Sequence, residues 1–146
     1  TTGGISMTKR KQAKKIVAAA GSALAFNHAM IYVNHVDPAL AFYSALGFRL
    51  IAKFPGYARL RAPRGDATIA LHQLDKGMTS VAAEGMRLYF EVKNLDALCT
   101  RLAASGIAFK QMPTDMPWGW RHAYLNDPDG HEVSLYWAGA ERLRGG

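Results

Sequence analysis

From Phe26 onward, polar and apolar positions follow two alternating periods. His28, Met30 and Tyr32 alternate with Ala29, Ile31 and Val33, the two-residue period of a strand with unlike faces. Asp37-Pro38 then predicts a helix start, with Asp37 as N-cap and Pro38 at the first helical position. Leu40, Phe42, Tyr43 and Leu46 supply an apolar stripe at helical spacing, and Gly47 closes it. Three strands are predicted next: Phe48–Phe54, Tyr57–Ala62 after Pro55-Gly56, and Ala67–Leu74 after Arg64-Gly65-Asp66. The order is β-α-β-β-β.

The pattern then repeats. Residues 28–47 align with residues 87–106 without a gap at a spacing of 59, so that Val33 falls on Val92, Asp37 on Asp96 and Gly47 on Gly106. Leu95, Leu98, Leu102 and Ile107 form the second apolar set. Further strands are predicted around Ala108–Met112, Trp120–Asn126 and His131–Trp137, and Asp127-Pro128-Asp129-Gly130 supplies a tight turn before the last. In that strand Val133, Leu135 and Trp137 face one way and Glu132, Ser134 and Tyr136 the other. His131 and Glu132, at its start, read as solvated. The predicted fold is α+β: two tandem βαβββ modules forming a curved mixed sheet around a cleft, with an extra N-terminal helix. Module one spans residues 26–74, residues 75–84 are the linker, and module two spans 85–137. Together, residues 26–137 form one domain, followed by a frayed tail at 138–146.

The net charge of +7 changes this picture little, because residues 1–25 carry five basic groups and no acid. The body has no basic stripe for nucleic acid. Residues 1–6 read as an expression scar. Residues 8–25, with Lys9, Arg10, Lys11, Lys14 and Lys15 before Ile16-Val-Ala-Ala-Ala20, have two readings: a signal-peptide outline ending at Ala23–Ala25, or a basic, Ala-rich surface helix. The short apolar run, broken by Gly21-Ser22, favours the helix. No apolar run is long enough to span a membrane. The one cysteine, Cys99, has no flanking cation and reads as a plain core or interface thiol, which fits a reducing, cytoplasmic setting.

Alternation assigns the concave face: His28, Met30, Tyr32, Tyr57, Arg59, Arg61, His72, Arg87, Tyr89, Glu91, Trp120, His122, Tyr124, Ser134 and Tyr136. Aromatic walls with a few charges suit a partly planar, anionic or neutral small molecule. Arg87 and Glu91 form an ion pair, or Arg87 receives a ligand anion. Trp118, after Pro113 and Pro117, is a lid over the ligand or a packing residue. His28 and His122 have the chemistry of a general acid or base, with Tyr124 or Tyr89 as proton partner, but no Ser-His-Asp or Cys-His spacing sharpens it.

The doubled module, Asn27-His28 on the first strand, Asp37-Pro38…Phe42-Tyr43…Leu46-Gly47-Phe48, and the Asp127-Pro128-Asp129-Gly130 turn together resemble the vicinal oxygen chelate superfamily of glyoxalases, extradiol dioxygenases and bleomycin-resistance proteins. The resemblance covers roughly residues 26–137. It implies a homodimer that completes its clefts with the partner chain, and in metal-dependent members a divalent ion held at four symmetry-related positions. Those positions fall here on His28, Ala70, Arg87 and Ser134, of which one suits a cation. The chain is therefore read on the metal-less, bleomycin-resistance-like side, with no metal and no cofactor. It would sequester a small molecule through His28, Tyr32, Arg59, His72, Arg87, Tyr89, Glu91, Trp118, Trp120, His122, Ser134 and Tyr136. Cationic bleomycin is disfavoured by Arg59, Arg61 and Arg87. The alternative is an enzyme, either with a divalent metal at a shifted site among His28, His72, His122 and Glu91, or a metal-free acid/base lyase or isomerase.

Overall fold

The computed structural model describes residues 23–145. Strand β1 (His28–Val33), helix α1 (Val36–Ala45), β2 (Arg49–Phe54), β3 (Tyr57–Arg61) and β4 (Thr68–Gln73) build module one. Strand β5 (Arg87–Glu91), helix α2 (Leu95–Ala104), β6 (Gln111–Asp115), β7 (Arg121–Asn126) and β8 (Glu132–Trp137) repeat that order. The helices are offset by 59 residues at both ends, the spacing read from the sequence. The chain is thus α+β with two tandem βαβββ modules. Of the expected N-terminal helix, residues 8–22 lie outside the described residues, and residues 23–25 are not helical.

In place of one continuous sheet there are two of four strands, ordered β1-β4-β3-β2 and β5-β8-β7-β6. Each helix carries the chain across its sheet, so β1 lies parallel to β4 and β5 to β8, while the other neighbours are antiparallel. One face of both sheets is apolar. Ile31, Val33, Leu60, Leu71, Leu125, Val133 and Leu135 join Ala39, Tyr43, Leu95 and Leu102 of the helices in a single core, each fully buried aliphatic contributing about 1.5–3 kcal/mol. Cys99 belongs to that core. Burial, then the nearby Asp96, pushes its thiol up to about 11.

Two helix caps differ from expectation. Helix α1 starts a residue before Asp37, with His35 at the N-cap and no side-chain cap, because Val36 is drawn into the core. Asp37 sits in the first turn, where its charge suits the helix dipole and meets Lys53 at 3.3 Å. In α2, Asp96 is likewise the second helical residue. Its carboxylate accepts from Arg121 Nε and Nη2 at 2.9 and 3.0 Å and so cannot cap. The closing glycines hold: Gly47 and Gly106 sit at φ +101° and +102°. Strand β6 is shifted toward the C-terminus of its expected span. Pro113 has no amide to give, and pairing with β7 resumes at Thr114 and Asp115, where Arg121 also bonds Asp115.

The modules are tied by side chains. Asp127 Oδ2 accepts from the Tyr43 hydroxyl of α1 at 2.6 Å and from His131 Nδ1 at 2.8 Å. Its Oδ1 accepts from the backbone N–H groups of Asp129 and His131, both at 2.9 Å. Asn34 N–H donates to Asp129 Oδ1, and the rings of Phe48 and Phe90 meet at 5.1 Å. His131 is therefore buried, at 3% exposure, against the expectation of solvation: the turn needs its imidazole to satisfy Asp127. The tail is also more ordered than expected. Glu91 accepts from Ala138 and Gly139 N–H, which starts a short 3₁₀ segment at Gly139–Leu143.

Candidate functional site

Strand register sorts the face opposite the core into rows. In module one the rows are Tyr57–His72–Tyr32, Arg59–Ala70–Met30 and Arg61–Thr68–His28. In module two they are His122–Tyr136–Glu91, Tyr124–Ser134–Tyr89 and Asn126–Glu132–Arg87. The two walls have diverged: the first is polar and cationic, the second aromatic.

His122 stands at the centre of the second wall, 1% exposed. Its ring lies nearly parallel to those of Trp120, Tyr124 and Tyr136, with centroids 5.3–5.9 Å away and interplanar angles of 11–18°. Tyr89 and Trp118 present their edges to it at 5.8 and 5.5 Å. Trp118 Nε1–H donates to His122 Nε2 at 3.3 Å, and His122 Nδ1 lies 2.6 Å from Ser134 Oγ. An indole N–H can only donate, so Nε2 is the acceptor and the single imidazole proton sits on Nδ1, donated to Ser134. Burial pushes the His122 pKa down, in accord with a neutral ring. In this state His122 is no base toward Ser134, and Ser134, also 1% exposed, is no nucleophile. Tyr124, the third catalytic candidate, is raised by burial first and then by neighbouring Tyr89.

On the first wall His28 Nδ1 lies 2.7 Å from Thr68 Oγ1. The Tyr32 hydroxyl donates to Asp75 at 2.7 Å, which raises its pKa. His72 Nδ1–H donates to Gln73 O at 2.6 Å, and its ring meets the edges of Tyr32 and Tyr57. Arg59 Nη1 donates to the Tyr57 hydroxyl, and Arg61 Nε to Gly65 O. Neither arginine pairs with a carboxylate among the described residues.

The structure thus gathers Tyr89, Trp118, Trp120, His122, Tyr124, Ser134 and Tyr136, and separately Tyr32, Arg59 and His72. It does not join Arg87 to Glu91. The parallel register sets Arg87 beside Glu132, and Arg87 Nε and Lys110 Nζ each reach that carboxylate at 2.8 Å. Glu132 is therefore half-buried and paired, not solvated. Glu91 is drawn off to the Ala138–Gly139 backbone, with Arg142 at 3.7 Å. Sequence reading missed Thr68, Asp75, Lys110 and Glu132. Thr68 and Glu132 share the strand parity of their neighbours and were findable. Asp75 stands beyond β4 in what reads as linker.

The four family positions do not fit a divalent cation. Ala70 has no donor, Ser134 is spent on His122 and Arg87 brings positive charge, which leaves His28 Nε2 as the one suitable ligand atom. The shifted set is not brought together either: among the described residues, no three of His28, His72, His122 and Glu91 offer ligand atoms within 4.8 Å of one another. Among the described residues the one ligand-like group of three is Asp127, Asp129 and His131, at the inter-module turn. There Asp127 already accepts four hydrogen bonds.

Comparison with known proteins agrees with the fold. The chain aligns over its whole length with all of a glyoxalase/bleomycin resistance protein/dioxygenase from Nocardioides, at TM-score 0.69 and 20% identity. A lactoylglutathione lyase from Agrobacterium tumefaciens matches 83% of this chain and 97% of its own at TM-score 0.62 and 20% identity. TioX from Micromonospora sp. ML1 matches 77% and 98% at TM-score 0.61 and 21% identity. No curated protein matches in sequence. Residues 25–135 match the model of one protein family, and on that match the chain belongs to the Glyoxalase/Bleomycin resistance protein/Dioxygenase superfamily.

Proposed function

We propose that this chain is a metal-independent binder of an aromatic, anionic small molecule, held between the ring stack of module two and the unpaired arginines of module one. The observation that carries this reading is the His122 environment: an imidazole inside a stack of parallel rings, its Nε2 accepting a hydrogen bond from Trp118. A ligand that takes the place of Trp118 must stack on the rings and bring its own donor to Nε2, as a phenol or an N–H heterocycle does. Arg59 and Arg61 supply the counter-charge for its acidic end. Acid/base turnover is the second reading, and His122 favours it only if Trp118 leaves Nε2 bare. Two copies would complete the cleft: the outer strand β2 exposes Leu50, Ile51 and Phe54 at 48%, 50% and 60%.

The test is a titration of metal-stripped protein with 4-hydroxybenzoate and its methyl ether, followed by indole fluorescence and by recovery of the ligand. The hydroxy acid is expected to bind about tenfold tighter, since the ether leaves Nε2 unpaired, and to be recovered unchanged. Equal affinity for both, loss of binding on chelation, or a converted ligand would overturn the reading.

A further inference from the structure

The junction of the two modules holds a cavity whose apolar wall the cleft reading does not use, although His28, Arg87 and Tyr89 at its mouth are also on the cleft face. Strands β1 and β5 each leave one edge unpaired. Where β5 meets the starts of β1 and β4, a space of about 410 Å³ opens. That lies within the ~300–1,000 Å³ range of small-molecule pockets. The inner wall is apolar, built from Phe48, Ala62, Ile69, Leu88 and Phe90. The mouth is polar: His28, Thr68, Arg87 and Tyr89, the outward-facing positions of the same strands.

We propose that this junction binds an aliphatic monocarboxylate, its tail in the slot and its head at Arg87. The wall asks for an apolar tail, because no side chain on it needs a hydrogen bond. His28 and Thr68 satisfy each other at 2.7 Å and make no demand on the occupant. The charge at the mouth asks for one negative group: Arg87 and Lys110 share the single carboxylate of Glu132, which leaves one positive charge over. Arg87 is well placed to supply it, with its side chain 63% exposed and its ion pair made through Nε. The proposal goes beyond the cleft ligand and stands whether or not that ligand exists. Tyr89 lines the slot and also edges onto His122 and Tyr136, so an occupant here would touch the aromatic wall from behind.

The experiment is calorimetry on the full chain with octanoate and with 1-octanol, together with methyl NMR. Octanoate is expected to bind one to one, at least about tenfold tighter than the alcohol, as a charge-assisted contact requires. Arg87→Gln should erase that preference. Ala67→Phe, at an exposed position lining the slot, should weaken octanoate without lowering the melting temperature. The methyl resonances of Ala62, Ile69 and Leu88 should shift. The proposal is overturned if millimolar octanoate does not bind, if the alcohol binds as tightly, if Ala67→Phe has no effect, or if shifts are confined to the Trp118 and Trp120 indoles.

Discussion

A tryptophan N–H can only give a hydrogen bond, so the contact between Trp118 and His122 lasts only while the imidazole is neutral. A proton on Nε2 would turn the acceptor into a donor and expel the indole. The His122 pKa lies below its ordinary 6.5 because the ring is buried. Between 6.5 and the folded value the unfolded chain binds the extra proton, so stability falls as pH drops through that window. Indole emission should therefore change with a midpoint below 6.5, and Trp118→Phe should remove the change. A midpoint above that value would mean that Trp118 does not sense His122. That His122, Ser134 and Tyr136 share the sheet face opposite the core was legible from alternation alone. What alternation cannot supply is the partner. It offered Glu91 to Arg87 because both lie on one strand face, whereas the neighbour across the ladder, Glu132, comes from a strand more than forty residues away.

At the scale of elements, the internal repeat was the legible feature, and the closing glycines show why. Gly47 and Gly106 hold the same backbone geometry in the two modules, a positive φ that side chains resist. They differ in surroundings: a Cβ on Gly47 would come within 3.2 Å of Pro63 Cγ, while one on Gly106 would meet nothing within 4 Å. Gly106→Ala should cost about 1–3 kcal/mol from backbone strain alone, and Gly47→Ala should cost more, as chemical denaturation of the two variants would show. Equal losses would mean that Pro63 yields freely. The helix starts were less legible than the ends. Asp37 and Asp96 have N-cap chemistry, but Lys53 and Arg121, brought up by other elements, claim both carboxylates inside the first turn.

For the molecule as a whole, the link from Tyr43 to Asp127 is a buried hydrogen bond that ties the two modules, beside the Phe48–Phe90 contact. Tyr43→Phe should cost about 1–3 kcal/mol, the penalty of leaving a buried acceptor short of a donor. Burial alone would raise the Asp127 pKa, but the hydrogen bonds from His131 and Tyr43 outweigh it, and the net shift is downward from 3.8. A lowered carboxylate contributes stability that is full above its unfolded value and lost as pH falls below it, so the Tyr43→Phe deficit should shrink toward strongly acidic pH. A deficit that does not change with pH would assign the loss to packing. Ile51→Lys, on the exposed edge of β2, should convert the proposed homodimer to a monomer by light scattering, and a wild-type chain that is monomeric would overturn that pairing. The unjoined sheets have one more consequence. Every backbone pairing of module one is complete by Gln73, so a nascent chain leaving the ribosome can close its first half before Arg87 has emerged. Until residue 127 emerges, Tyr43 has no carboxylate to grip, and the newborn half waits with a polar group exposed to whatever chaperone meets it.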